Sequence, residues 1–178
     1  EPNVLAEFKI EKRQDTIFLP VKFGGEECLF FLDTGSSYTV FDTSLKHKLG
    51  SRKKRSWGFS PKDIMRFEVY DAPEAFLGPF NLQDYGEVIC LDLEMFSQIE
   101  GRKVHGVLGI NFLKKYVVQV DFDKSTLSFI QPIRGKNYNW GMEVPITYDS
   151  TGLPVIRVKI FDSIKANFLI DTGGDGTG

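Results

Sequence analysis

The chain has 178 residues, with Lys plus Arg at 22, Asp plus Glu at 24 and hydrophobic residues at 42%. Such a composition supplies a packed core and excludes wholesale disorder, while the balanced charge speaks against a nucleic-acid binder, whose phosphate partner calls for a basic excess. No apolar run approaches the ~20 residues of a membrane-spanning helix, and two cysteines with two histidines supply neither a disulfide scaffold nor a thiolate zinc site.

The chain begins at Glu1 with no signal or transit sequence in view, so localisation stays open; secretion or a periplasmic location fits if Glu1 is a processed end. Period-two alternation predicts strands over 6–10 and 16–23. Gly24-Gly25-Glu26-Glu27 reads as a hairpin turn, and the unbroken apolar run Cys28-Leu29-Phe30-Phe31-Leu32 as a strand buried on both faces. Asp42-Thr43-Ser44 carries N-cap side chains, Leu45 and Leu49 lie four apart, and Gly50 suits the position after a helix, so a short helix is expected there. The basic run over 51–55 reads as a solvated loop in preference to a polyanion site, given the balanced total charge. Further strands are expected over 64–70, 75–80, 87–91, 116–122 and 127–130, with a turn at Asp123-Lys124-Ser125-Thr126. The sum is a mostly β chain with two or three short helices, in a closed or sandwich-like arrangement. Cys28 and Cys90 leave two alternatives open, a bridge across strands or two buried thiols. Residues 132–141, polar and rich in Gly and Asn, form the best linker in the chain, dividing it into 1–131 and 142–178.

The segment after the linker repeats the beginning. Leu153-Pro154-Val155-Ile156-Arg157-Val158-Lys159-Ile160 matches Thr16-Ile17-Phe18-Leu19-Pro20-Val21-Lys22-Phe23, and each is followed by a turn, an apolar strand and Asp-Thr-Gly. Val21 precedes Asp33 by 12 positions and Val158 precedes Asp171 by 13, a difference one hairpin residue absorbs. One Asp-Thr-Gly could simply close a hairpin as an Asx turn. Two copies, each at the end of the same apolar strand, point to a duplicated half-domain and to ionisable groups with work to do.

Two carboxylates within hydrogen-bonding distance hold one proton between them over a wide pH range. The ionised member can take a proton from a bridging water that attacks a peptide carbonyl, while the protonated member hydrogen-bonds to the carbonyl oxygen. Glycine after the threonine allows close backbone approach, and the threonine hydroxyl can brace the two loops. No metal or cofactor is needed for this chemistry.

With Leu32-Asp33-Thr34-Gly35-Ser36-Ser37, Val107-Leu108-Gly109-Ile110-Asn111-Phe112-Leu113 and the hairpin over 117–130, the chain resembles the retropepsin-like aspartic proteases. The resemblance implies an acid-protease β-barrel lobe over about 4–131 and the opening of a second lobe over 142–178. It implies Asp33 and Asp171 as the catalytic pair of an endopeptidase, with Thr34, Gly35, Ser36, Thr172 and Gly173 in support. Thr34 and Thr172 would brace the loops, and Ser36 would hydrogen-bond the outer oxygen of Asp33. Val107-Leu108-Gly109 would pack under the first active-site loop, and Asn111 reads as structural. Gly174 stands where Ser36 stands in the first copy, so the second copy lacks that outer hydrogen bond. Only five residues follow Gly173, too few for a second flap, hydrophobic-hydrophobic-Gly element and closing hairpin. The family also uses a flap that closes over substrate, for which Trp57-Gly58-Phe59, taken as a turn between Arg55 and Pro61, is the candidate. Expected partners are a peptide or protein substrate and either a missing C-terminal lobe or a second copy, the latter giving an Asp33–Asp33 pair across a two-fold axis. The competing reading is a non-catalytic peptide-binding or dimerisation module on the same fold.

Overall fold

The computed structural model describes residues 2–11, 16–59, 64–133, 140–161 and 164–174. In chain order the first strands are β1 (Val4–Lys9), β2 (Phe18–Phe23), β3 (Glu26–Leu32), β4 (Thr39–Asp42), β5 (Arg52–Phe59), β6 (Ile64–Asp71), β7 (Ala75–Leu77), β8 (Phe80–Asn81) and β9 (Glu87–Leu91). A helix α1 (Glu94–Glu100), strand β10 (Gly106–Leu108), a single helical turn α2 (Ile110–Leu113) and the hairpin β11 (Val117–Asp121) and β12 (Thr126–Ile130) follow. The last strands are β13 (Ile146–Tyr148), β14 (Pro154–Ile160) and β15 (Ile164–Leu169).

Side-chain alternation explains how these strands share two cores. Leu19, Val21 and Phe23 of β2 join Cys28, Phe30 and Leu32 of β3 in the larger cluster, whereas Phe18 and Phe31 point into a smaller one on the other face. The unbroken apolar run of β3 is thus buried on both sides, as a central strand requires. Gly24 and Gly25 close the β2–β3 hairpin at φ of 58° and 83°, values open to glycine but costly for other residues.

A nine-stranded sheet runs in the order β5-β6-β9-β4-β10-β3-β2-β7-β8. Its centre matters most for the site. β10 lies parallel to β3, with Val107 opposite Phe31 and Leu108 opposite Leu32, and antiparallel to β4, with Val107 opposite Val40. A three-stranded sheet β1-β12-β11 brings Leu127 and Phe129 into the larger core. There Phe112 meets Phe129 edge to face at 5.5 Å and Phe30 meets Phe41 at 5.1 Å. The third sheet, β13-β14-β15, carries the repeated segment.

Two expectations change. The basic run over 51–55 is largely strand: Arg52 to Arg55 belong to β5, pairing with β6 over Glu68 to Tyr70. Their charges are held by Glu68, Asp71 and Glu87 on neighbouring strands rather than solvated in a loop. The short helix after Asp42 is a 3-10 turn, Thr43–Lys48, capped as expected by the Asp42 carboxylate accepting the Ser44 N–H at 3.1 Å. Cys28 and Cys90 are separate buried thiols. Residues 134–139 of the expected linker lie outside the described residues. Among those described, no helix is long and apolar enough to cross a membrane.

Candidate active site

β3 ends at Leu32, and the Asp33 N–H donates to the Leu108 carbonyl at 3.1 Å, so the first Asp-Thr-Gly turn leaves the sheet beside β10. The second turn leaves β15 in the same manner, with the Ile170 N–H donating to the Pro154 carbonyl of β14 at 2.9 Å. The two turns meet through a reciprocal lock. The Thr34 N–H donates to Thr172 Oγ1 at 3.0 Å, and the Thr172 N–H donates to Thr34 Oγ1 at 3.1 Å. Each hydroxyl then donates across the junction, Thr34 to the Ile170 carbonyl at 2.5 Å and Thr172 to the Leu32 carbonyl at 3.1 Å. Four hydrogen bonds between residues about 138 positions apart therefore fix the relative placement of the turns.

The lock brings Asp33 and Asp171 together. The Gly35 N–H donates to Asp33 Oδ1 at 2.7 Å, and the Gly173 N–H donates to Asp171 Oδ1 at 2.9 Å. Each glycine also lies against the opposite aspartate. A methyl group on Gly35 would stand 2.6 Å from the Asp171 carboxyl carbon, and one on Gly173 would stand 2.5 Å from that of Asp33. Burial, and then the charge of Asp171, push the Asp33 carboxyl up to about 7, against the opposing pull of the Gly35 N–H. Asp33 is half-buried while Asp171 is exposed.

The surroundings of the first turn follow from close backbone packing. Gly109, which follows β10, sits where a Cβ would be 2.2 Å from the Tyr38 carbonyl oxygen and 2.9 Å from that of Ser36. Only glycine lets Val107-Leu108-Gly109 come so near the turn, and the Ile110 N–H then donates to the Ser36 carbonyl at 2.8 Å. Thr39 donates to Asn111 Oδ1 at 3.0 Å, and Asn111 Nδ2 donates to the Glu87 carbonyl at 3.2 Å, so Asn111 ties β4 to β9. Ser36 differs from expectation. Its hydroxyl donates to the Tyr38 carbonyl at 2.8 Å, and its backbone N–H is the group that acts on Asp33. Gly174 lies close against Asp171, where a Cβ would be 3.2 Å from Oδ2 and 3.3 Å from the carboxyl carbon.

The flap candidate is also revised. Trp57, Gly58 and Phe59 lie within β5 rather than at a turn, paired with Arg66, Met65 and Ile64 of β6. The connection between the two strands, residues 60–63, lies outside the described residues. Trp57 is 67% exposed with the Arg66 guanidinium over its ring at 5.6 Å, so it does not point into the core. On the hairpin's other face Phe67 covers Gly58, where a Cβ would meet its ring at 2.7 Å, and approaches Tyr38 with ring centroids 6.5 Å apart. Sequence reasoning passed over Tyr38 and Phe67; an aromatic three residues past Asp-Thr-Gly was the available signal for the first.

A lobe built around a glycine-packed central strand, with paired Asp-Thr-Gly turns at its end, is the architecture of an acid protease. Residues 19–112, more than half of the chain, match the sequence family described as aspartyl protease, and the chain belongs to that family. A retropepsin-like aspartic protease from Rickettsia conorii is among similar solved structures, at 16% identity and a TM-score of 0.48 over 74% of this chain and 94% of that one. No curated protein matches the chain significantly.

Proposed function

We propose that the chain carries the catalytic pair of an aspartic endopeptidase, with Asp33 as the protonated and Asp171 as the ionised member. Asp171 takes a proton from a water held between the two carboxyl groups as the water oxygen bonds to the peptide carbonyl carbon. Asp33 gives its proton to the carbonyl oxygen, so a neutral tetrahedral diol forms without a free oxyanion. Collapse breaks the C–N bond: Asp171 returns its proton to the leaving nitrogen, and Asp33 recovers one from a diol hydroxyl as the carboxyl product forms. The carboxylates end in their starting states. Thr34 and Thr172 hold the turns, and the Gly35 and Gly173 N–H groups orient the inner oxygens.

The observation that carries this reading is the reciprocal Thr34–Thr172 lock, which sets two aspartates face to face across 138 positions of sequence. Two unrelated Asx turns would have no reason to exchange backbone and hydroxyl hydrogen bonds. Cleavage of a broad peptide library, assayed across acidic to neutral pH with and without a pepstatin-type inhibitor, tests it. Asp33→Asn and Asp171→Asn are each expected to lower turnover by at least ~10³-fold, the scale on which removal of a catalytic group falls. Retained turnover in either variant removes that aspartate from the chemistry and with it the reading, and a parent chain that cleaves nothing favours the non-catalytic peptide-binding module.

A further inference from the structure

A cavity of about 390 Å³ lies away from both Asp-Thr-Gly turns, between the β5–β6 hairpin, the 3-10 turn Thr43–Lys48 and the end of β9. We propose that it is a binding site for an anionic group, a carboxylate or a phosphate. Lys46, Arg55 and Arg66 line it, against Glu68 and Asp92. Both carboxylates are already engaged. Glu68 receives Lys46 at 2.5 Å, Arg52 at 2.7 Å and Arg55 at 3.6 Å, and also the Tyr70 hydroxyl at 2.8 Å. Asp92 accepts the Glu94 N–H at 2.9 Å at the start of α1. Glu68 is thus overcompensated, and positive charge is left over.

The unspent charge sits on two guanidinium groups. Arg55 reaches Glu68 through Nε at the long distance of 3.6 Å. Arg66 makes no ion pair among the described residues and rests on the Trp57 ring at 5.6 Å. Strand register sets the four side chains as a block on one face of the hairpin: Arg55 opposite Glu68, and Trp57 opposite Arg66. The two arginines therefore stand on a diagonal, close enough to share one ligand, and a planar fork suits carboxylate or phosphate oxygens. Cys90 contributes a neutral, buried wall, since burial pushes its thiol up to about 11. An anion here would bridge β6 to the 3-10 turn and so fasten the hairpin to the body of the lobe.

Calorimetric titration of the 178-residue chain carrying Asp33→Asn, which removes peptide cleavage from the readout, tests the site with two probes: inorganic phosphate, and a short Asp/Glu-rich peptide. One saturable site is expected for at least one probe. Saturation by phosphate alone marks a free ion, and saturation by the peptide alone marks a peptide-borne carboxylate. Arg55→Gln with Arg66→Gln is expected to weaken binding at least ~10-fold, the loss of charge-assisted hydrogen bonds. Lys53→Gln with Lys54→Gln, an equal change of charge directed at Asp71 and Glu87, is expected to leave it within about twofold. Absence of saturable binding, or equal weakening in both double variants, overturns the proposal. Because Asp33 lines no part of the cavity, neither result bears on the catalytic pair.

Discussion

Asp33 carries an energetic cost that its replacement should reveal. Its carboxyl is raised from 3.8 to about 7 by burial and by Asp171, so the folded chain binds its proton more tightly than the unfolded chain does. The sign follows directly: this group favours folding below about pH 4, and the advantage is lost as pH climbs through 7. Asp33→Asn removes the titration. The variant should therefore melt several degrees above the parent at pH 7.5, a gain on the order of a few kcal/mol, with the gap closing near pH 4. Melting curves at the two pH values decide it, and an unchanged or lower melting temperature at pH 7.5 would mean that Asp33 titrates normally. Peptide hydrolysis should fall over the same interval, as the pair loses its single shared proton above about pH 7.

At the scale of elements, the close approach of β10 to the first turn rests on one residue. Gly109 has φ of -89° and ψ of 177°, a conformation open to any residue, so the demand for glycine is steric rather than conformational. A Cβ there would meet backbone, the Tyr38 carbonyl, which cannot swing aside. Gly109→Ala should cost about 3 kcal/mol or more, seen as a lowered urea midpoint. Gly174→Ala would meet the Asp171 side chain, Oδ2 at 3.2 Å and the carboxyl carbon at 3.3 Å, which has to give only a few tenths of an ångström, so it should shift the midpoint less. Equal midpoints for the two variants would refute the close-packing account. Elements were legible in the sequence where alternation or an unbroken apolar run survived, as in β2, β3 and β9. β5 was hidden because Arg52, Lys53, Lys54 and Arg55 are charged on both faces: each face has carboxylates across the strand, so period two leaves no apolar trace. α1 is too short to show helical periodicity, although Asp92 before it and Gly101 after it, at φ of 64°, were usable boundary signals. The apposition of Asp33 and Asp171 was legible only through the repeat, because no local pattern reports a contact between residues that far apart. Ser36 was misread because a single hydroxyl can serve more than one acceptor, and the Tyr38 carbonyl two residues on takes it.

Across the whole molecule, the two copies of the repeat share a pattern and differ in burial. Val21 and Phe30 are fully buried in the first copy, whereas Val158 is half-buried and Phe168 is 43% exposed in the second. Strand register puts Ile146, Ile156, Val158, Ile160, Ile164, Ala166 and Phe168 on one face of the third sheet, and Thr147, Val155, Arg157, Lys159, Lys165, Asn167 and Leu169 on the other. The first of these faces is apolar throughout and built for a core, yet Ile146 and Ile164 are more than half exposed. In the first copy the equivalent face is covered by Leu108, Phe112, Leu127 and Phe129. An uncovered apolar sheet face binds apolar dyes and favours association. The chain should accordingly enhance anilinonaphthalene sulfonate fluorescence under native conditions, and Ile164→Ser with Phe168→Ser should remove most of that enhancement. The Thr34–Thr172 lock lies beyond the end of β15 and does not use these side chains, so the double variant should keep its near-ultraviolet circular dichroism. Dye binding that survives both substitutions would place the exposed apolar surface elsewhere on the molecule.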